Sequence, residues 1–373
     1  MSSPSPATST ASPPSDSGSP SRLRILELDG LRGVAALAVV LYHFTTRFEQ
    51  LFPREVPLSW QLSWGFHGVD LFFMLSGFVI LMTLERTRGW LQFAWGRFTR
   101  LYPAYWVAAL MTLIVIALWG AASQQVSARD ALLNVTMLQA LLGARHIDGV
   151  YWSLQAEVIF YVNMLLAYRC GLLQRPAWGV AAWLLLAAIV AAALALVGDE
   201  TAIASVLHKL QTVFSLKFIP LFSVGVLLYD ARVRARFTVA HAAALTLGLA
   251  LIGLSDGVAT LVIDTGLAAL LALAVHGRCR WLGAPWLVRL GALSYALYLV
   301  HQAIGYTIIR HLEAAGAAPA VSIAVALVTV FLLASGLHRW IEMPALHRLR
   351  HVRVERLAGF WSWSRKPRGA NPA

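Results

Sequence analysis

Long apolar runs, divided by short polar segments, set the pattern of this chain. They fall near residues 29–48, 66–84, 100–119, 151–169, 178–197, 212–230, 238–255, 258–276, 290–309 and 319–341. Each is long enough to cross ~30 Å of hydrocarbon as a helix rising ~1.5 Å per residue. The pattern therefore reads as an all-α polytopic membrane protein, a bundle of about ten transmembrane helices. The sixth run is interrupted by Lys217 and Pro220, and the seventh and eighth are joined only by Asp256-Gly257, a tight hairpin. Segment 128–143 is too polar to span and reads as an amphipathic helix lying on the outer surface.

Composition agrees. Hydrophobic residues make up 58% of the chain and charged residues 13%, against roughly 25% charged in soluble domains. The net charge of +12 invites a nucleic-acid reading, but the distribution of the charge favours a bilayer and no nucleic acid. With ten helices and the N-terminus inside, the outer segments hold Arg47, Arg54, Arg129, Arg145, Lys209 and Arg310, and Lys217 sits within a span. The other twenty-three basic residues fall on the cytoplasmic side, as the positive-inside rule requires of an even number of spans. Both termini are then expected in the cytoplasm. Residues 1–21, almost all Ser, Pro, Ala, Thr and Gly, read as a disordered tail rather than a cleavable signal peptide. The membrane domain takes residues 22–350, and residues 351–373 form a basic cytoplasmic tail. The two cysteines, Cys170 and Cys279, suggest no disulfide framework.

Polar residues inside the runs carry the candidate chemistry, because ionisable groups at membrane depth are costly. Arg32 and His43 are eleven residues apart, which returns them to within ~20° on one helix face and separates them by about 16 Å. Asp70 near the start of the second run, and Glu157 in the fourth, are expected at the depth of His43, where a carboxylate would orient the imidazole and raise its basicity. Ser153, Glu157 and Tyr161 follow at i, i+4 and i+8 as one polar stripe. Arg97 and Arg100, one turn apart at the start of the third run, would form with Arg32 a basic mouth suited to phosphate groups; lipid-headgroup binding is the plainer use of such arginines. Lys217 is expected to line the same passage, and His301 is a further inward-facing group for which a packing role serves equally. No metal is expected, since the HxxxH pair His347 and His351 lies in the tail, far from these groups. A polar passage with arginines inside and a His–carboxylate cluster outside would serve a membrane enzyme with an anionic donor, or a proton-coupled transporter of an anionic solute.

These same residues resemble the acyltransferase-3 family of integral membrane O-acyltransferases. The resemblance rests on Leu28-Asp-Gly-Leu-Arg-Gly-Val-Ala-Ala-Leu37 with Arg32 ten intervening residues before His43, and on Gly68-Val-Asp-Leu-Phe-Phe-Met-Leu-Ser-Gly-Phe78. It continues through Arg97-x-x-Arg100-Leu-Tyr-Pro103, Trp152-Ser-Leu-Gln-Ala-Glu157, Leu293-Ser-Tyr-Ala-Leu-Tyr-Leu-Val-His301 and Arg339-Trp-Ile-Glu-Met-Pro344. It implies transfer of an acyl group, commonly acetyl, from cytoplasmic acyl-CoA to a hydroxyl of an extracytoplasmic glycan, glycolipid or related glycoconjugate, in a bacterial inner membrane. It carries the Arg/His pair onto Arg32 and His43, the Arg-x-x-Arg pair onto Arg97 and Arg100, and supporting carboxylates onto Asp29, Asp70 and Glu157. Catalysis is thus expected of His43, Glu157, Asp70 and Arg32. Donor binding is expected of Arg32, Arg97, Arg100 and Lys217, and acceptor binding of Asp29, Trp152, Ser153, Tyr161 and His301. Some members append an esterase-like domain; this chain ends within about twenty-five residues of Arg350, so the membrane core is expected to act alone.

Overall fold

A computed structural model describes residues 25–55, 57–87, 89–198 and 201–349; the two expected tails lie outside the described residues. Among those residues there is no strand. The helices are α1 (Leu26–Tyr42), α2 (Gly68–Arg86), α3 (Trp90–Trp119), α4 (Ala128–Asn134), α5 (Tyr151–Arg169), α6 (Pro176–Val197), α7 (Ala202–Val213), α8 (Ile219–Arg234), α9 (Val239–Val275), α10 (Pro285–Val300), α11 (Gln302–Ala314) and α12 (Pro319–Leu337). π-Helical turns extend two of them. His43–Arg47 carries α1 into a short helix ending at Leu51, and His338–Glu342 carries α12 towards Leu349.

Among the described residues, six helices are long and apolar enough to cross a membrane, and the bent pair α10–α11 makes a seventh. The expected count of about ten is larger, and the difference lies in three places. α5 carries the polar stripe and α8 has only 16 residues. α9 is one assignment that bends back on itself at Gly257, where φ is +87°. A Cβ placed on Gly253 would lie 3.7 Å from the Cβ of Leu261, whereas eight residues of straight helix span about 12 Å. The chain therefore reverses at Gly257, a conformation open to glycine and strained for other residues.

Several expected boundaries move for identifiable reasons. The third helix starts at Trp90 rather than near residue 100, so Arg97 and Arg100 sit inside α3 and not at its mouth. Segment 128–143 is helical only to Asn134. There the buried Asn134 side chain donates to the carbonyls of Asp130 and Arg145, both at 2.7 Å, and turns the chain into a loop. The run 212–230 splits because Pro220 has no N–H to continue a helix and is accommodated in the first turn of α8. Lys217 consequently lies in the exposed turn between α7 and α8, not at mid-depth in a span.

The ninth run breaks by 70° at His301. A broken helix inside an apolar bundle must find partners for the backbone groups it frees, and it does. Tyr151 Oη donates to Leu299 O at 3.1 Å, Asp148 Oδ2 accepts from Ala303 N at 3.0 Å, and His301 Nδ1 donates to Tyr298 O at 2.9 Å. Asp148 also accepts from Val150 N at 3.2 Å in the turn that leads into α5. Burial pushes its carboxyl up to about 6, with backbone N–H groups opposing the rise.

Two close crossings set the frame. α1 and α10 run side by side in the same direction, so near that a Cβ on Gly33 would lie 2.8 Å from Leu287 O and one on Gly291 would overlap Asp29 O. α2 meets α8 in the same way through Gly77 on Phe222 O and Gly225 on Met74 O. Without a hydrophobic force between helices in lipid, backbone approach over small residues supplies the packing. Stacked Phe160 and Phe222 rings, 3.8 Å apart, tie α5 to α8.

Candidate functional site

α1, α2, α3, α5 and α10 line a partly open cavity with room for about 90 Å³. Its lining includes Arg32 from α1, Ser76 from α2, Arg97 and Arg100 from α3, Ser153, Glu157 and Tyr161 from α5, and Ser294, Tyr295 and Tyr298 from α10. Periodicity explains the set. Val69, Phe72, Phe73, Ser76 and Val79 of α2 line the wall at helical spacing, as do Ser153, Glu157 and Tyr161 of α5.

Arginines dominate one end, here called the arginine end. Arg32 Nε lies 3.4 Å from Ser294 Oγ. Arg100 pairs with buried Glu342, which also takes a hydrogen bond from His338 Nδ1 at 2.8 Å. The Arg97 guanidinium lies 5.9 Å from the ring centres of Phe93 and Tyr161, and its Nε is buried without a hydrogen-bond partner. Glu157 receives hydrogen bonds from both Ser76 Oγ and Tyr161 Oη. Three guanidinium groups thus share Glu157 and Glu342, with Asp29 within electrostatic reach of Arg32, and Arg97 retains an unused donor. Such a site favours a further anion.

The other end of the cavity closes on Tyr298 and Ser153, whose hydroxyls are 2.5 Å apart. Beyond Tyr298 lie two imidazoles that do not line the cavity. His43 is 9% exposed, and His301 is fully buried at the helix break. His43 Nδ1 is 2.8 Å from Val39 O and 3.3 Å from His301 Nε2. Because His301 Nδ1 donates to Tyr298 O, its Nε2 is the acceptor nitrogen of the neutral ring. That assignment makes His43 Nδ1 a donor to Val39 O and His301, which leaves His43 Nε2 with the lone pair. This network fixes a His43 tautomer suited to accepting a proton. The π-turn that begins at His43 is a feature often found at functional positions.

The expected carboxylate partners of His43 are elsewhere. Glu157 sits six residues, about 9 Å, further along α5 than Tyr151, the residue that reaches the helix break, and so belongs with the arginines. Asp70 points away from the cavity. Its Oδ2 accepts from His67 Nδ1 at 2.7 Å, near buried Asp264 of α9. Asp29 is in the first turn of α1, partly buried and within electrostatic reach of Arg32, far along α1 from His43. Lys217 does not line the cavity; its Nζ lies 5.8 Å from the Phe218 ring. Trp152, 40% exposed, stands between Phe73 at 6.0 Å and Phe218 at 5.4 Å on the outside of α5.

Four groups that the sequence reading passed over turn out to be structural partners of the site. Ser294 holds Arg32, and Glu342 holds Arg100. Asp148 caps the broken helix, and Tyr298 separates the cavity from His301. Ser294, Tyr298 and Glu342 stand within motifs already noted; a carboxylate in an apolar run was the available signal for Glu342.

A family model described as an acyltransferase domain, the acyltransferase-3 model, matches residues 25–339. Among curated relatives, the acyltransferase MdmB of Streptomyces mycarofaciens is 28% identical over 365 residues, covering 88% of this chain and 94% of that protein. The protein 2 in picA locus of Rhizobium radiobacter is 43% identical over 104 residues, 26% of this chain. The peptidoglycan O-acetyltransferase OatA of Listeria monocytogenes is 35% identical over 104 residues, 25% of this chain. The aligned region spans about half of the Rhizobium protein (48%) and 14% of the Listeria protein. No solved structure matches the chain.

Proposed function

Because the chain belongs to the acyltransferase-3 family of membrane acyltransferases, we propose that it moves an acetyl group from acetyl-CoA to a hydroxyl of a carbohydrate or glycolipid on the opposite side of the membrane. The observation that carries this reading is one cavity with guanidinium groups at one end and, just past the other, a buried histidine whose Nδ1 is engaged and whose Nε2 is left free.

The arginine end faces the cytoplasm in this reading, in keeping with the basic bias of the loops at that end. Arg97 and Arg32 hold phosphate oxygens of the donor, with Arg100 braced by Glu342 beside them. Glu157 acts on this side: held by Ser76 and Tyr161, it fixes the guanidinium array and is not the base that activates His43. Asp29 supports Arg32 electrostatically, and Lys217 has no part in the donor site. The pantetheine arm lies along the cavity and brings the thioester past Tyr298 and Ser153. His43 Nε2 takes the proton of the acceptor hydroxyl as its oxygen attacks the thioester carbonyl. The tetrahedral adduct collapses, the C–S bond breaks, and the imidazolium returns the proton to the departing CoA thiolate. His301 positions His43. Trp152, with Phe73 and Phe218, offers an aromatic face to the acceptor. No step needs a metal.

The test uses membrane vesicles containing the chain, radiolabelled acetyl-CoA and membrane glycolipids of the host as acceptor. Label should enter the glycolipid fraction, and His43→Ala should slow its entry about 10²- to 10⁴-fold. Full transfer by His43→Ala would refute the assignment of the base. Label recovered on the wild-type protein at His43 itself would replace direct attack by a covalent acyl-imidazole route. An anion transporter built from the same residues would leave acetyl-CoA intact.

A further inference from the structure

On the face of α2 turned away from the cavity, three ligand-type side chains converge without serving the reaction. They are His67 immediately before α2, Asp70 in its first turn, and Asp264 on the second arm of α9. One candidate ligand atom from each lies within 4.8 Å of the other two. His67 Nδ1 is 2.7 Å from Asp70 Oδ2 and 3.5 Å from Asp264 Oδ1. Asp264 is 1% exposed, and its Oδ1 is buried with no hydrogen-bond partner.

A protonated imidazole alone is a poor answer to this arrangement. One N–H at Nδ1 makes one good hydrogen bond, which Asp70 takes. The second carboxylate oxygen is left buried at a distance where it gains little, and an unsatisfied buried acceptor is costly. A divalent cation resolves both problems, since it contacts all three atoms at once and balances two carboxylates. Metal–ligand distances of about 2.0–2.2 Å place neighbouring ligand atoms roughly 3.0–3.5 Å apart in octahedral or tetrahedral geometry. The observed 2.7 and 3.5 Å require only modest side-chain shifts.

We propose that His67, Asp70 and Asp264 bind a divalent transition-metal cation that clasps α9 to the start of α2. One imidazole and two carboxylates suit Mn²⁺ or Zn²⁺, with water completing the shell. The site is structural, since its residues face away from the cavity. Its effect passes through a short chain of rings: His67 to Phe66 at 3.9 Å, Phe66 to Tyr42 at 5.7 Å, and Tyr42 to His43 at 5.1 Å. The cation therefore steadies the segment Ser63–His67 against the end of α1, next to the catalytic imidazole. The expectation of no metal came from short sequence spacings, and Asp264 stands far from His67 in sequence.

The experiment uses full-length purified protein stripped with EDTA, and Mn²⁺ as the probe read by electron paramagnetic resonance. Wild type should take up one Mn²⁺ per chain, displaced by Zn²⁺, and its Tm should rise on addition of either ion. Asp264→Asn, which keeps the shape of the side chain, should weaken Mn²⁺ binding at least about tenfold and remove the Tm response. His67→Gln serves the same purpose if the first variant does not accumulate. Free Mn²⁺ unaffected by wild-type protein, or equal uptake by wild type and variant, would overturn the proposal and leave a shared proton in the cluster. Neither readout depends on acyl transfer, so the result stands apart from that of the proposed activity.

Discussion

His301→Phe is the substitution that most sharply tests how the two imidazoles divide the work. Phenylalanine keeps a ring in the fully buried site but removes the acceptor 3.3 Å from His43 Nδ1 and the donor to Tyr298 O. The bond to His43 is at the long end, and a neutral hydrogen bond contributes about 0.5–1.5 kcal/mol. Val39 O, at 2.8 Å, remains to hold the His43 tautomer. The rate of acetyl transfer should therefore fall about two- to tenfold. His43→Ala, by contrast, removes the base and should cost about 10²- to 10⁴-fold.

Comparing the two single variants with the double variant completes the argument. If His301 acts only through His43, adding His301→Phe to His43→Ala should change the residual rate no further. Label transfer from acetyl-CoA into membrane glycolipids measures all four proteins. The reasoning fails if His301→Phe alone is as inactive as His43→Ala, or if its effect persists undiminished in the double variant. Either result would make His301 a proton-transfer group in its own right.

Arg97→Ala should raise the apparent KM for acetyl-CoA roughly tenfold or more, as expected for a lost charged hydrogen bond, with kcat within about twofold; an unchanged KM would remove Arg97 from the donor site. Arg100→Ala is a less specific probe, because it strands the buried Glu342 carboxylate and should lower the yield of folded protein. Gly291→Val drives a side chain into Asp29 O and should cost about 1–3 kcal/mol of stability, read as a lower Tm in detergent. Asp148, with its carboxyl raised to about 6, binds a proton in the folded state at pH values where the unfolded chain has released it. Its contribution to stability is therefore greatest below the unfolded value near 4 and is lost as pH rises through about 6. The Tm difference between wild type and Asp148→Asn should accordingly shift in favour of wild type between pH 7 and pH 5, and a pH-independent difference would contradict the assignment.

Much of this architecture is written locally. Apolar run lengths mark α3, α6 and α12, Asp256-Gly257 announces the reversal in α9, and i, i+4, i+8 spacing places Ser153, Glu157 and Tyr161 on one wall. What local pattern cannot give is depth across helices. Whether Glu157 meets His43 or Arg32 depends on how far α5 slides along α1, and that is set by Tyr151 Oη on Leu299 O and Ser153 on Tyr298. The break at His301 is likewise invisible in an apolar run, since no Pro or Gly marks it. It is stabilised by Asp148 and Tyr151, which arrive from distant sequence.

The break also explains why one helix carries both halves of the site. α1 and α10 run parallel with close backbone contacts of Asp29 and Gly33 on Gly291, so the Arg32 side chain reaches Ser294 while His43 meets His301. A straight α10 would continue alongside α1 with its backbone bonded to itself. Bending at His301 turns the chain aside, frees the end of α10 to be satisfied by α5, and sets an imidazole acceptor against His43. Against the Arg32–His43 separation of about 16 Å, Ser294 and His301 are only seven residues, about 10.5 Å, apart on the facing helix, so the Arg32 side chain spans the remainder by reaching along α10 to Ser294. Arg32 and His43 are thus held towards the two ends of this helix pair, and the cavity that Arg32 lines is bounded by Tyr298, the residue on α10 that separates it from the imidazoles.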